Sequence, residues 1–174
     1  MMGDVVRNDT ATVEQSYLEC KRIAKESSSS FLRAFKTLPK PKRDGINALY
    51  AFCRRADDVA DGDWLPDFSS FTPQQMGALR LRALQRSKYL DEKHRSRGTL
   101  DHEGHITKLC ALIYLRDNIQ QGVYDNFPKE RFLLAFWDTI EKFNIPSQHL
   151  HSLIDGMEDD LYPTNYETYE DLRG

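Results

Sequence analysis

The chain has 174 residues, 40% of them hydrophobic, and 24 basic and 27 acidic residues that give a net charge of −3. This length and hydrophobic content are those of one domain with its own core, and the mixing of the two charges along the chain excludes a broad basic surface for nucleic acid. Cys20, Cys53 and Cys110 form no CxxC pair, which excludes a disulfide framework and a zinc ribbon and favours a cytoplasmic location.

Apolar residues recur at helical spacing and alternating strand patterns are absent, so the sequence predicts an all-α fold. A first helix is predicted over 13–25, ending at the serine cluster Ser27 to Ser30, and a short helix over 31–37 follows it. The prolines of the LPKP segment end that helix. A stronger helix is predicted over 43–61, with Gly62 where a C-terminal cap is expected.

The rest of the chain predicts further helices around one polar loop. The helices are predicted over 73–89, 106–121, 129–143 and 147–161, and the loop over 91–104. His102 and His105 lie in this loop, where ordinary surface histidines are expected rather than metal ligands. No run of 18 apolar residues and no signal peptide occur, so we expect one soluble helical domain over 1–174, for which peripheral membrane contact is left open.

One predicted helix carries a polar face. Tyr50, Arg54, Asp57 and Asp61 recur at i, i+4, i+7 and i+11, which places them within an arc of about 60°. The opposite side has the apolar stripe of a core-facing helix: Leu49, Phe52, Cys53, Ala56, Val59 and Ala60.

The acidic end of this helix is electrostatically unfavourable. Asp57, Asp58 and Asp61 lie in its last turns, where the helix dipole disfavours negative charge and where the sequence shows no compensation. Mg²⁺ would resolve the conflict, because it prefers carboxylate oxygens and bridges to phosphates, and Arg54 could hold a diphosphate oxygen. The alternative is a solvated acidic surface, with Arg54 in a salt bridge worth at most about 1 kcal/mol.

Two other segments admit a functional and a structural interpretation. The serines before Phe31 could bind an anion at a helix start or simply cap the helix. The segment 150–161, LHSLIDGMEDDL, is typical of an amphipathic helix, with an acidic end that solvent alone could explain. Gly156 inside it indicates close packing or close ligand approach.

Taken together, SSSSFLRAF, LPKPKRDGINALYAFCRRADDVADG and LIDGMEDDL resemble the squalene/phytoene synthases in order and spacing. The resemblance extends over about 17–172 and implies a helical bundle of the isoprenoid synthase type. It also implies that Asp57 and Asp61, in a DxxxD motif, bind Mg²⁺ bridged to diphosphate. Tyr50 and Arg54 match the catalytic tyrosine and arginine of a YxxxRxxDD pattern, in which Arg54 also contacts substrate.

The resemblance implies further substrate contacts. Ser28 and Ser30 would contact diphosphate, and Phe31 and Phe35 would line the entrance of a tunnel for the prenyl chain. Asp160 matches the acidic position of the family's GMxxDL segment.

The activity implied by the resemblance is prenyl transfer in isoprenoid and carotenoid biosynthesis. Two prenyl diphosphates, farnesyl or geranylgeranyl, would condense head to head with Mg²⁺, and NADPH would be used only by a squalene-forming member. The family's second aspartate-rich motif, NxxRDxxED, does not follow GMEDDL, and the earlier pair Arg116-Asp117 is not a substitute for it. We therefore expect the N-terminal part of a longer enzyme, truncated on its C-terminal side and inactive alone. A phosphatase that releases a prenyl alcohol and a non-catalytic helical remnant are the alternatives.

Overall fold

The computed structural model describes residues 2–27, 29–95, 102–124 and 130–162, the side chains of 2–12, 29, 31 and 32 excepted. Within these ranges the chain forms seven α-helices and no β-strand, which confirms the all-α prediction. The helices are α1 (Met2–Ser27), α2 (Ser29–Ala34), α3 (Lys40–Asp61), α4 (Pro73–His94), α5 (His102–Asp117), α6 (Phe132–Phe143) and α7 (Ser147–Asp159). No helix in the described ranges is long and apolar enough to cross a membrane.

The helix with the polar face, α3, has clear start and stop signals. It begins at Lys40, three residues earlier than predicted, because Pro41 lies in its first turn, where a missing N–H group costs nothing. It ends at Asp61, and Gly62 caps it in the left-handed conformation (φ 82°). The amide of Gly62 donates to the carbonyl of Val59 at 3.1 Å. The predicted C-terminal cap is thereby confirmed.

The apolar side of α3 lies at the centre of the main core. α3 packs against α1, α5, α6 and α7, and the fully buried rings of Phe52 and Phe136 stack with their centroids 4.1 Å apart. Each such ring stabilises the fold by roughly 1.5–3 kcal/mol. With its apolar side held in this way, α3 presents its other side as a fixed polar face.

The prediction of an exposed loop over 91–104 is wrong at both ends. α4 continues to His94 and α5 already begins at His102. His105 is 8% exposed and hydrogen-bonds through Nε2 to the hydroxyl of Tyr162 at 3.1 Å, so the prediction of a surface role fails for this histidine. The same hydroxyl donates to Asp91 at 2.5 Å. Tyr162, which is far away in sequence, thus covers residues that look solvent-exposed from their local composition.

Other helix ends also differ from the predictions. α1 begins at Met2 rather than at 13, through a stretch with few apolar residues that local pattern does not mark as helical. α2 ends at Ala34 rather than at 37, and α5 ends at Asp117 rather than at 121. These shifts move no proposed ligand residue of α3.

Candidate functional site

The polar face of α3 exists as predicted within one uninterrupted helix. Tyr50, Arg54 and Asp57 are half-buried, and Asp61 is exposed in the last turn. The side chain of Arg54 is 34% exposed and that of Asp57 is 40% exposed. These groups therefore remain accessible to a ligand while their helix is fixed by the core behind it.

Two arginines compensate part of the acidic end, so the expectation that this end lacks compensation is wrong. Arg54 contacts Asp57 at 3.5 Å and Asp58 at 2.9 Å, and Arg55 contacts Asp58 at 3.0 Å. Asp58 is only 6% exposed. It is therefore the buried partner of both arginines, whereas Asp57 is half-buried and Asp61 is exposed.

Burial and several neighbouring charges shift the pKa of Asp57. Partial burial raises the pKa of Asp57 above its ordinary value, and Asp61 raises it further, whereas Arg54 lowers it. Asp58 and Asp160 also raise the pKa of Asp57. Asp160 directly follows α7, and α7 packs against α3. A cation at this position would relieve the repulsion between these carboxylates.

The donor set is suited to a hard cation that keeps part of its own hydration. Asp57, Asp61 and Asp160 offer carboxylate oxygens, which are the ligands that Mg²⁺ prefers. In the part of the chain that the structure describes, no group of three or more His, Cys, Asp or Glu side chains is gathered closely enough to hold a metal ion. Any Mg²⁺ held by these carboxylates would need further ligands, such as water or substrate phosphate.

Lys108 of α5 adds a cation that the sequence does not reveal. Its Nζ donates to the carbonyl of Ala60 in the last turn of α3 at 3.2 Å. The same Nζ lies 3.7 Å from the position that a Cβ atom on Gly62 would occupy. A positive charge at a helix C-terminus is favourable, so Lys108 stabilises this end of α3. No local pattern in α5 distinguishes Lys108 from a surface lysine.

The acidic end of α7 is held by ion pairs rather than by solvent. Glu158 is 1% exposed and pairs with Arg86 at 2.8 Å and Arg116 at 2.6 Å. Asp159 pairs with Lys93 at 2.9 Å. These contacts fix α7 against α4 and α5 and so determine where Asp160 lies.

The Arg116-Asp117 pair belongs to this ionic framework as well. Arg116 binds Glu158, and Asp117 binds Arg82 at 2.6 Å, so both side chains have structural partners. Gly156 does not have the role expected of it, because nothing lies within 4 Å of a Cβ built there. The structure gives no contact that requires glycine at this position.

The serine-rich segment is described only in part. Ser28 and the side chain of Phe31 lie outside the described residues, and Ser30 is exposed in α2, which packs on α1. Phe35 is half-buried in the turn after α2 and lines a groove against α1 and the N-terminal half of α3. The proposed contacts of these residues with diphosphate and prenyl chain stay predictions.

Comparison with known proteins finds one matching family and relatives named phytoene and diapophytoene synthases. A family described as squalene/phytoene synthase matches residues 24–174. The 15-cis-phytoene synthase of Synechocystis sp. is 26% identical over 162 residues, which are 93% of this chain and 36% of the relative. The 4,4'-diapophytoene synthase of Staphylococcus haemolyticus is 28% identical over 164 residues, or 94% and 43% of the two chains.

A third relative, the phytoene synthase of Mycobacterium tuberculosis, is 25% identical over 92% of this chain and 39% of its own length. The chain thus spans about two-fifths of the length of these curated relatives. No solved structure matches it. Since the family match covers most of the chain and includes the polar face of α3, the chain belongs to the squalene/phytoene synthase family.

Proposed function

We propose that the protein containing this chain is a prenyltransferase that condenses two prenyl diphosphates head to head. The observation that carries the proposal is the polar face of α3, which holds Arg54, Asp57 and Asp61 and in which Arg54 contacts Asp57, in a chain of this family. In such a reaction one allylic diphosphate leaves as inorganic diphosphate. The resulting carbocation then joins the double bond of the second substrate with loss of a proton, which gives a cyclopropyl diphosphate. Departure of this second diphosphate, rearrangement and loss of a further proton would then give the hydrocarbon.

The first part of the proposal concerns the leaving diphosphate. Asp57 and Asp61 would hold Mg²⁺, which when bound would neutralise charge on the departing diphosphate, and Asp160 after α7 raises the pKa of Asp57 as a neighbouring negative charge does. Arg54 would bind a diphosphate oxygen through its planar guanidinium, exchanging its long 3.5 Å contact with Asp57 for a stronger one. Lys108 would add a further positive charge from α5.

The second part concerns what the chain does not have to supply. A departing diphosphate and an attacking double bond require no protein nucleophile, which agrees with the absence of a recognisable nucleophile motif from the sequence. The carbocation requires protection from water instead. Because prenyl chains of this length are hydrophobic and partition into membranes, we further infer that the enzyme takes its substrates at a membrane surface by peripheral contact.

Product analysis tests the proposal. The whole protein that contains this chain is incubated with Mg²⁺ and either farnesyl or geranylgeranyl diphosphate, and the extract is analysed by mass spectrometry. A thirty- or forty-carbon hydrocarbon is the expected product. Asp57→Asn and Asp61→Asn should each lower its yield by about 100-fold or more, in the range seen when a charge-stabilising group is removed. The exposed Glu141→Gln on α6 is a matched control that should leave the yield unchanged.

Two results would contradict the proposal. Release of a prenyl alcohol without condensation would show that the diphosphate is hydrolysed and that the protein is a phosphatase. Full yield from the Asp57→Asn variant would show that the polar face of α3 takes no part in the reaction.

A further inference from the structure

A second charged feature lies at the opposite end of α3. A groove of about 370 Å³ opens between α1, the turn after α2 and the first turns of α3. Five of its lining residues are basic, namely Lys21, Lys25, Lys36, Lys40 and Arg43. We call this feature the basic groove. It stands out because the chain as a whole carries a net charge of −3.

The positive charge of the basic groove is hardly neutralised by the protein. Asp44 is the one carboxylate in its lining, and it pairs with Lys40 at 3.0 Å. Within the described residues, no carboxylate lies within the 4.0 Å ion-pair distance of the other four basic side chains. Arginines elsewhere behave differently: Arg86 and Arg116, which line the larger cleft between α4, α5 and α7, both pair with the buried Glu158.

The N-terminal turn of α3 carries positive side chains, which the helix dipole disfavours. Its first turn has no acidic residue and contains Lys40, Lys42 and Arg43. Pro39 at the N-cap position supplies no side-chain hydrogen bond. Because the helix dipole places partial positive charge at the N-terminus, cations there are unfavourable. Charges from α1, the turn after α2 and α3 nevertheless converge on one concavity, an arrangement that a bound anion would stabilise.

The basic groove is separate from the aspartates. Arg43 precedes Asp57 by 14 residues, which corresponds to about 21 Å along the helix axis. That distance is more than twice the Debye length of about 8–10 Å at physiological ionic strength. An anion in the basic groove and a cation held by Asp57 and Asp61 would therefore interact only weakly.

We propose that the basic groove binds a phosphate-type anion without the help of a metal. The chemistry is that of several ammonium groups and one guanidinium around a multiply charged oxyanion. Free inorganic diphosphate and the phosphate of an anionic lipid headgroup share this chemistry. The proposal does not depend on the prenyl transfer proposed above.

Binding of inorganic diphosphate in the presence of EDTA tests the proposal, because EDTA removes any contribution of Mg²⁺. Isothermal titration calorimetry at low salt should detect one site in the unmodified protein. The double variant Lys25→Glu/Arg43→Glu should weaken binding by about tenfold or more, since two attractive charges become repulsive. The variant Asp57→Asn/Asp61→Asn should bind as tightly as the unmodified protein.

A charge-matched control and a lipid arm make the test specific. Lys88→Glu/Arg95→Glu changes the net charge equally at exposed positions of α4 and its C-cap and should retain binding. Vesicles of phosphatidylglycerol, with phosphatidylcholine vesicles as reference, replace diphosphate in the second arm. Binding to phosphatidylglycerol but not to diphosphate would identify the headgroup as the ligand and would support the proposal.

Two results would overturn the proposal. In one, Lys25→Glu/Arg43→Glu binds both ligands as well as the unmodified protein while circular dichroism shows an intact helical fold. In the other, the control variant loses as much affinity as the groove variant, which would indicate a non-specific charge effect. Neither result bears on the aspartates of α3, because EDTA is present throughout.

Discussion

Glu158 provides a sharp test of how the site is positioned. Its side chain is 1% exposed, and its two oxygens accept hydrogen bonds from Arg86 at 2.8 and 3.0 Å and from Arg116 at 2.6 Å. Glu158→Gln keeps the shape but removes the charge, so two guanidinium groups lose their shared buried partner. Breaking a fully buried ion pair costs about 3–5 kcal/mol.

The expected magnitude is smaller than for full burial. The side chains of Arg86 and Arg116 are 34% and 21% exposed, so water can solvate the two guanidinium groups once Glu158 has lost its charge. We therefore expect a decrease of about 2–3 kcal/mol in the free energy of unfolding. For a chain of this size, that corresponds to a fall in Tm of roughly 4–12 °C. Urea and thermal unfolding followed by circular dichroism measure both quantities.

The same helix offers a matched control. Asp155 also pairs with Arg116, at 2.5 Å, but its side chain is 50% exposed, so Asp155→Asn should cost no more than about 1 kcal/mol. Equal destabilisation by Glu158→Gln and Asp155→Asn would refute the reasoning, because burial would then have no influence on the value of the ion pair.

Three further predictions concern stability. Gly45→Ala should lower the free energy of unfolding by about 1 kcal/mol, because its Cβ would lie 3.2 Å from Cγ2 of the fully buried Thr139. Gly77→Ala should raise the free energy of unfolding by about 0.5–1 kcal/mol, because nothing lies within 4 Å of a Cβ at Gly77. Urea unfolding measures both changes. Burial and neighbouring carboxylates raise the pKa of Asp57, so ionisation of Asp57 lowers the stability of the fold as pH rises through that pKa. Asp57→Asn should therefore raise Tm at pH 7 but not at pH 3. A Tm gain that is equal at both pH values would contradict this prediction. Burial lowers the pKa of His105, so the folded state should lose stability as pH falls below the ordinary histidine pKa of about 6.5, and His105→Gln should flatten this part of the Tm–pH profile.

Local sequence pattern was sufficient for the central helix. Tyr50, Arg54, Asp57 and Asp61 lie on one face of α3 because helical spacing alone determines which side chains share a face. Gly62 caps the helix because glycine adopts the left-handed conformation of a C-terminal cap without steric strain. Both features depend on residues within a few turns of one another.

Features that depend on distant residues could not be predicted. Lys108 reaches the carbonyl of Ala60 from 48 positions away, and Glu158 meets Arg86 across 72 positions. Opposite charges that far apart carry no spacing signal. Asp58 likewise looks like one more exposed carboxylate in sequence, and only the positions of Arg54 and Arg55 show that it is the buried one.

The central claim is that the carboxylates of α3 hold a divalent cation that bridges to a prenyl diphosphate. Mn²⁺ can replace Mg²⁺ as a spectroscopic probe, because both prefer oxygen ligands. Electron paramagnetic resonance of the protein with Mn²⁺ and geranylgeranyl diphosphate should show bound Mn²⁺. The signal should be lost in Asp57→Asn/Asp61→Asn and kept in Glu141→Gln. Bound Mn²⁺ of equal amount in both variants would contradict the account.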